Sequence, residues 1–153
     1  MKVAVLGSGS WGTALSIHLT RAGHDVLLWA RDPEVCSAIE RTRLHPRRLT
    51  AIPIPAAVRV TPDLDLAASH SDTAIVAVPC VSFRDVLAAL SARSRTRRFL
   101  SAAKGIEPET LKRMSEIVCE LRPGSEVAAL SGPTFAEGVA RGDPSAAVVA
   151  GVV

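Results

Sequence analysis

The chain has 153 residues, of which 48% are hydrophobic and only 3% aromatic, so it is long enough for one domain with a sizeable core. Its net charge of +3 is mild, and its basic residues are scattered apart from those between Arg93 and Arg98, which we expect to solvate a helix end and a loop. This pattern argues against nucleic-acid binding, which usually needs a basic stripe with stacking aromatics. No apolar run approaches the roughly 20 residues of a membrane-spanning helix.

The three cysteines predict a reducing compartment. Cys36, Cys80 and Cys119 form no C-x-x-C pair and have no histidine nearby at metal-ligand spacing, so we expect free thiols and no metal site. No charged leader with an apolar stretch precedes the first predicted strand, and we therefore expect no export signal and a cytoplasmic protein.

The first twelve residues carry the strongest local pattern. An apolar strand over residues 3–6 stops at Gly7, and Gly9 and Gly12 follow at the spacing G-x-G-x-x-G before a helix predicted over Ser10–Arg21. The three glycines allow a tight turn, backbone approach to a diphosphate and close packing of the helix on the sheet. The pattern favours dinucleotide binding, and its alternative is an ordinary strand-to-helix turn.

The end of the second predicted strand, over residues 26–30, bears on the choice of cofactor. About 20 residues beyond the glycines, a carboxylate usually binds the adenosine ribose, but here Arg31 precedes Asp32. A guanidinium suits a 2′-phosphate, so Arg31 favours NADPH over NADH, the alternative being a solvated loop arginine. Asp32 leaves room for an unphosphorylated ribose, or caps a helix that begins at Pro33.

The rest of the chain alternates between helical and extended patterns. The predicted elements are a helix over 33–43, a loop over 44–57, a strand over 58–61, a short helix over 62–69, a strand over 73–78, a helix over 81–92, a strand over 97–101, a helix starting at 108, a strand over 126–130, a short helix over 135–140 and a strand over 146–153. We predict an α/β, Rossmann-like doubly wound fold with a mostly parallel sheet and helices on both faces. The chain ends in an apolar strand, which suggests an excised or truncated domain.

Three residues follow strand ends, where open α/β sheets bind ligands. Pro79 is expected near the cofactor, and Cys80 is either a reactive thiol or a small half-buried residue. In the following helix, Val86, Leu87 and Leu90 are assigned to the core, whereas Phe83 is left as a possible site residue. Lys104 has a position suited to catalysis, because an ammonium there could bind a phosphate or carbonyl oxygen; the alternative is a solvated loop lysine.

Five sequence blocks together resemble the amino-terminal half of bacterial NAD(P)-dependent glycerol-3-phosphate dehydrogenase. They are G-S-G-S-W-G-T-A-L from Gly7, W-A-R-D from Trp29, V-P-C-V-S-F-R-D-V-L from Val78, S-A-A-K-G-I-E from Ser101 and L-S-G-P-T-F-A from Leu130. The resemblance implies hydride transfer between NADP or NAD and the C2 carbon of dihydroxyacetone phosphate or sn-glycerol 3-phosphate, for phospholipid synthesis. It also implies a possible homodimer of the complete enzyme.

The same resemblance implies roles for individual residues. Ser10 and Trp11 would lie against the cofactor diphosphate and Arg31 against the ribose phosphate, while Phe83 would form a wall of the nicotinamide pocket. Lys104, the implied catalytic residue, would contact both nicotinamide and substrate. The remaining implied contacts are Gly132 and Thr134 with substrate, and Ala136 with cofactor.

The chain departs from the family pattern in three places. Arg48 stands where tyrosine is usual, and would add a phosphate contact; Glu137 is displaced by one position. The family's second lysine, its proton donor and acceptor, belongs to a helical carboxyl-terminal domain that residues 1–153 do not contain. We therefore expect this chain to be the cofactor domain, to bind NAD(P)H weakly and to reduce dihydroxyacetone phosphate negligibly.

Other assignments remain open on the residues alone. The 2-dehydropantoate reductases and N-carboxyalkyl amino-acid dehydrogenases share the glycine turn, but lack close counterparts of A-A-K-G-I-E and L-S-G-P-T-F-A. A redox-sensing module that binds NAD(P)H without turnover, and a simple structural domain, are the non-enzymatic alternatives.

Overall fold

The computed structural model describes residues 1–91 and 94–152, and within them a single sheet of seven strands is flanked by six helices. The strands are β1 (Lys2–Leu6), β2 (Asp25–Trp29), β3 (Arg59–Thr61), β4 (Thr73–Val76), β5 (Arg98–Ser101), β6 (Glu126–Ser131) and β7 (Val148–Val152). The helices are α1 (Ser10–Arg21), α2 (Pro33–Thr42), α3 (Leu64–Ser69), α4 (Cys80–Ala89), α5 (Met114–Leu121) and α6 (Ala136–Arg141).

The strand order is β3-β2-β1-β4-β5-β6-β7. The first six strands in this order are parallel, and β7 pairs antiparallel with β6. The chain runs outward from β1 through β2 to β3, then returns to place β4 on the other side of β1. The direction of winding therefore reverses between β1 and β4, which is where doubly wound sheets form their ligand crevice. The predicted fold class is confirmed.

Alternate residues of the central strands belong to two separate hydrophobic cores, one on each face of the sheet. In β1, Val3 and Val5 pack in one cluster with α1, α2 and α6, whereas Ala4 and Leu6 pack in the other with α3, α4 and α5. Successive side chains of a strand point to opposite faces, so a strand covered by helices on both sides is apolar throughout. This arrangement explains why the buried strands show continuous apolar runs.

Helix α5 begins later than its sequence pattern indicates. Pro108 predicts the first turn of a helix, but the helix starts at Met114, because the preceding segment folds back through a bridge between Ile106 and Arg113. Leu111, predicted on the apolar face, has a φ of 56° and is 69% exposed. The Arg113 N–H donates to the Glu116 carboxylate at 2.8 Å, which satisfies an amide at the true helix start.

Other boundaries differ by a few residues. Helix α4 ends at Ala89 rather than at 92, since Leu90 is extended and buried. Three residues of the sequence predictions lie outside the described residues. They are Ala92, the last residue of the predicted helix over 81–92; Arg93, the first residue of the basic stretch; and Val153, the last residue of the final predicted strand. No helix in the described part of the chain is both long and apolar enough to cross a membrane.

Phe83 belongs to the core. Its side chain is fully buried between α4 and the sheet, with Val86 and Leu87 in the same cluster, and it lines neither half of the cleft described below. The ring is turned toward the sheet interior and away from both cavities, and the role of Phe83 as a wall of the nicotinamide pocket stays a prediction.

We predict that Phe83→Ala lowers the free energy of unfolding by about 3–5 kcal/mol, because it empties a fully buried site. Val81→Ala, on the exposed side of the same helix, should change it by no more than about 0.5 kcal/mol. Urea denaturation followed by circular dichroism measures both. A similar small loss for the two variants would contradict the burial of the ring.

Candidate functional site

The turn between β1 and α1 depends on two glycines. Gly7 has a φ of +117°, and a Cβ there would lie 2.7 Å from the carbonyl oxygen of Ala77. A Cβ on Gly12 would lie 1.8 Å from the carbonyl oxygen of Gly7. These approaches bring the first turn of α1 directly onto the end of β1, so neither position accepts a side chain without moving the backbone.

Gly9 differs from its two neighbours in the motif. An added Cβ at Gly9 would have no heavy atom within 4 Å, so the space above it is open. Gly9 is also the N-cap of α1 and provides no side-chain cap, and the first helical turn contains no acidic residue. The amino end of a 12-residue helix, with its partial positive charge, therefore faces open space, an arrangement that suits an anion.

A cleft extends on both sides of this turn. It consists of two adjoining cavities, of about 420 Å³ and about 180 Å³, that share Gly9, Ala77, Val78 and Pro79. The larger cavity, on the Lys104 side, is also lined by Ser10, Trp11, Arg48, Ala102, Ala103, Lys104, Thr134 and Ala136. The smaller cavity, on the Arg31 side, is also lined by Gly7, Ser8, Trp29, Arg31, Ser82 and Val86.

A cavity of similar size, about 430 Å³, lies behind β3. Its basic side chains are already engaged: Arg43 donates to the carbonyls of Ile54 and Val58, and Arg59 pairs with Asp25. It has no contact with the glycine turn. We therefore assign the candidate site to the cleft at the switch point of the sheet.

Lys104 links two loops at the carboxyl ends of β5 and β6. Its Nζ donates a 3.0 Å hydrogen bond to the carbonyl of Gly132, and the side chain remains exposed to the cleft. Thr134 lines the same cavity, whereas Gly132 does not line it and holds Lys104 through its carbonyl. The structure thus brings together the three residues that the sequence predicts to meet the substrate. Chemically, the ammonium can donate to an oxygen placed in the cleft.

The segment that carries Lys104 is braced from α4. Arg84 donates to both carboxylate oxygens of Glu107, at 2.7 Å and 3.0 Å, and Thr110 donates to the same group. These hydrogen bonds, led by that of Arg84, hold the pKa of the buried Glu107 carboxyl below its ordinary value. Hydrogen bonds from Arg84 and Lys112 lower the pKa of Glu120, at the outer end of the network, to about 2.

Sequence reasoning missed this brace. Arg84 and Glu107 both occur in the sequence blocks V-P-C-V-S-F-R-D-V-L and S-A-A-K-G-I-E, but nothing in the sequence indicates that they pair. The Cys80 thiol, considered as a reactive group, is half-buried and donates to the Lys104 carbonyl at 3.3 Å. It therefore also supports the lysine segment.

On the other side of the cleft, Arg31 and Asp32 have different surroundings. Arg31 is exposed, lines the cleft and makes no ion pair or hydrogen bond with any other described residue. Asp32 caps α2 by accepting the Glu34 N–H at 2.9 Å and also pairs with Arg47. These two bonds, the one from Arg47 first, keep the pKa of Asp32 below its ordinary value. The interpretation of Asp32 as a helix cap is confirmed.

The remaining predicted cofactor residues differ in how they meet the cleft. Ser10, Trp11, Pro79 and Ala136 line it, as does Arg48, the residue that replaces the usual tyrosine. Gly7 lines the smaller cavity, whereas Gly12 lines neither cavity and packs against the Gly7 carbonyl. Within the described ranges there is no cluster of three or more histidine, cysteine or carboxylate side chains that could hold a metal ion.

Comparison with known proteins places these residues in a family. The chain matches, over residues 2–152, the family described as NAD-dependent glycerol-3-phosphate dehydrogenase N-terminus. It is 44% identical over 152 residues to a glycerol-3-phosphate dehydrogenase (NAD(P)+) of Salinibacter ruber, covering 97% of this chain and 45% of that protein. It is 42% identical over 151 residues to one of a Thermoanaerobacter species, covering 98% and 45%.

A solved structure agrees with the sequence relatives. The glycerol-3-phosphate dehydrogenase of Coxiella burnetii superposes with a TM-score of 0.87 at 27% identity, over 98% of this chain and 46% of that one. The chain thus spans about half the length of the relatives it matches. The resemblance inferred from the five sequence blocks is confirmed, and the chain belongs to the NAD-dependent glycerol-3-phosphate dehydrogenase family, whose amino-terminal part it matches.

Proposed function

We propose that residues 1–153 form the cofactor-binding domain of an sn-glycerol-3-phosphate dehydrogenase, with NADP or NAD bound along the cleft. One observation carries the proposal. The glycine turn presents the uncapped amino end of α1 to open space above Gly9, in a cleft that also contains Lys104. A helix amino end with free amides is suited to a diphosphate, and the lysine is suited to a reacting oxygen.

The residues around the turn fit a dinucleotide. The amides of Ser10 and Trp11 would receive the diphosphate, and Trp11 Nε1 is buried without a hydrogen-bond partner among the described residues, so one donor near the cleft remains unused. Arg31 would bind the 2′-phosphate of NADPH on one side, and Arg48 a phosphate on the other. Pro79 and Ala136 supply apolar contact. When bound, the nicotinamide supplies or accepts the hydride.

Lys104 would act on the substrate, dihydroxyacetone phosphate or sn-glycerol 3-phosphate. Its ammonium, held at the Gly132 carbonyl, would donate to the oxygen on the substrate C2 carbon and stabilise the negative charge that develops there during reduction. Thr134, on the same wall, would orient the substrate. Since the relatives are about twice as long, we propose that a second, helical domain of the complete enzyme supplies the remaining groups.

The cellular setting belongs to the same proposal. We propose that the complete enzyme acts in the cytoplasm, as a homodimer, and provides sn-glycerol 3-phosphate for phospholipid synthesis. The free thiols of Cys36, Cys80 and Cys119 are compatible with a reducing compartment. Light scattering of the complete enzyme tests the dimer.

The decisive experiment is a fluorescence titration of the 153-residue chain with NADPH and NADH. We expect saturable binding of both, and negligible oxidation of NADPH when dihydroxyacetone phosphate is added, because the chain spans only about half of its relatives. Absence of binding would support a structural domain instead. Measurable turnover by the pure chain would show that the second half is not needed.

We predict that Gly9→Ala weakens NADPH binding at least about tenfold, because the new methyl group occupies the space that the diphosphate needs. The fold should tolerate the change, since Gly9 has ordinary extended backbone angles and no neighbour within 4 Å of the new atom. Titration and thermal unfolding separate the two effects. Unchanged affinity, with an unchanged melting temperature, would show that the diphosphate does not bind at this turn.

We predict that Arg31→Ala weakens NADPH binding about tenfold or more and NADH binding by much less, because only NADPH carries the 2′-phosphate. Arg41→Ala is the matched control, since Arg41 is exposed on α2 and does not line the cleft. The control should leave both affinities nearly unchanged. An equal loss of NADPH and NADH affinity in Arg31→Ala would show that Arg31 does not bind the 2′-phosphate.

A further inference from the structure

A buried histidine lies under the arginines at the edge of the cleft. His45 opens the loop that follows α2, and only 3% of its surface is exposed, whereas Arg47 and Arg48 beside it are exposed. It is one of four histidines in the chain, and Pro46, Arg47 and Arg48 follow it directly. Its burial requires a hydrogen-bonding explanation, because an imidazole buried without partners is costly.

The ring binds the loop backbone through a single nitrogen. Nδ1 of His45 accepts the N–H of Arg47 and the N–H of Arg48, each at 3.1 Å. Both bonds need the lone pair on Nδ1, so the ring is neutral and its hydrogen is on Nε2. A second proton, placed on Nδ1, would remove both bonds at once.

The other side of the ring faces the glycine turn. The carbonyl of Ser8 attracts the His45 ring, although Nε2 completes no hydrogen bond of normal geometry with a described residue. Ser8 lines the smaller cavity, between Gly7 and Gly9, and Arg48 lines the larger one. His45 therefore lies between the turn that faces the ligand and the loop that carries Arg48.

We propose that His45 is a positioning residue: its neutral imidazole holds the Arg47–Arg48 backbone against the glycine turn, and protonation releases this loop and weakens dinucleotide binding. This inference rests on the proposed cofactor function of the cleft. It assigns to the chain a pH response in acid solution that an asparagine at the same position would not produce.

The charges around the ring act in the same direction. Burial is the main cause that lowers the pKa of His45, and the charges of Arg47 and Arg48 lower it further, while the Ser8 carbonyl opposes them. Asp32, the N-cap of α2, has its carboxylate bound to Arg47. Because the native state favours the neutral ring, the stabilising contribution is present above the ordinary histidine pKa of about 6.5. It is lost as the pH falls through the lowered value.

The test compares NADPH and NADH binding by the 153-residue chain between pH 8 and pH 5.5, in the unmodified protein and in His45→Asn. Asparagine keeps an oxygen that can accept a backbone N–H two residues on, but it does not titrate. At pH 8 the two proteins should bind within about twofold of each other. At pH 5.5 the unmodified chain should have lost more affinity than His45→Asn, but by less than about tenfold, since burial holds the pKa of His45 below about 6.5 and one proton permits at most a tenfold loss per pH unit. NADH has no 2′-phosphate, so its titration excludes protonation of the ligand as the cause.

Two further variants complete the design. His45→Ala removes the acceptor and should bind weakly at both pH values, with little pH dependence of its own. His18→Asn, an exposed histidine on α1, is the control and should follow the unmodified chain throughout. Parallel pH profiles for the unmodified chain and His45→Asn, or full affinity of His45→Ala at pH 8, would overturn the proposal.

A measurement without ligand separates this proposal from the proposed function. In ¹⁵N NMR spectra, His45 should show the Nε2–H form and titrate below the ordinary histidine pKa of about 6.5. The amides of Arg47 and Arg48 should lose exchange protection together with its protonation. If these signals behave as expected but NADPH does not bind at pH 8, the cofactor function fails, and with it the effect on binding. If NADPH binds but the amides of Arg47 and Arg48 are insensitive to the titration of His45, only the role of His45 fails.

Discussion

The site depends on how closely α1 approaches the end of β1. A single methyl group on Gly12 would overlap the carbonyl oxygen of Gly7, at 1.8 Å, and this contact fixes the direction in which the helix leaves the sheet. Because β1 is central and its neighbour β4 begins the second half of the fold, the amino end of α1 points into the gap where the winding reverses. Everything assigned to the cleft is arranged around that helix end.

The parallel sheet then brings distant sequence segments to the same edge. Residues that follow β4, β5 and β6 all lie at the carboxyl ends of adjacent strands, which is why Pro79, Lys104 and Thr134 line one cavity. Hydrogen bonds from residues outside the cleft set the position of Lys104 at this edge of the sheet. The Gly132 carbonyl holds its Nζ from one side, and the Arg84–Glu107 pair holds its loop from the other. Lys104 is thus placed by residues that do not line the cleft.

The sequence predicts those parts of the structure that are encoded locally. The glycine spacing and the apolar runs identify β1 and the full length of α1, because turn and periodicity occur within one stretch of chain. It cannot predict which side of a helix faces the cleft: the resemblance implies a pocket role for Phe83, whose side chain is buried in the core. Pro108 is a good first helical residue, yet the Ile106–Arg113 bridge delays α5 to Met114. Pairings across the fold, such as Arg84 with Glu107, leave no periodic signal.

The cleft is positively charged because the acidic residues around it form ion pairs with other arginines. Its described lining contains three cations, Arg31, Arg48 and Lys104, and no carboxylate. The nearby carboxylates are paired elsewhere: Asp32 with Arg47 and the α2 amide, and Glu107 with Arg84. Arg47 and Arg84 thus form ion pairs with carboxylates that could otherwise neutralise the cations lining the cleft. A chain with a formal charge of only +3 therefore presents a locally cationic surface at the amino end of α1, where both the helix and the side chains favour an anion.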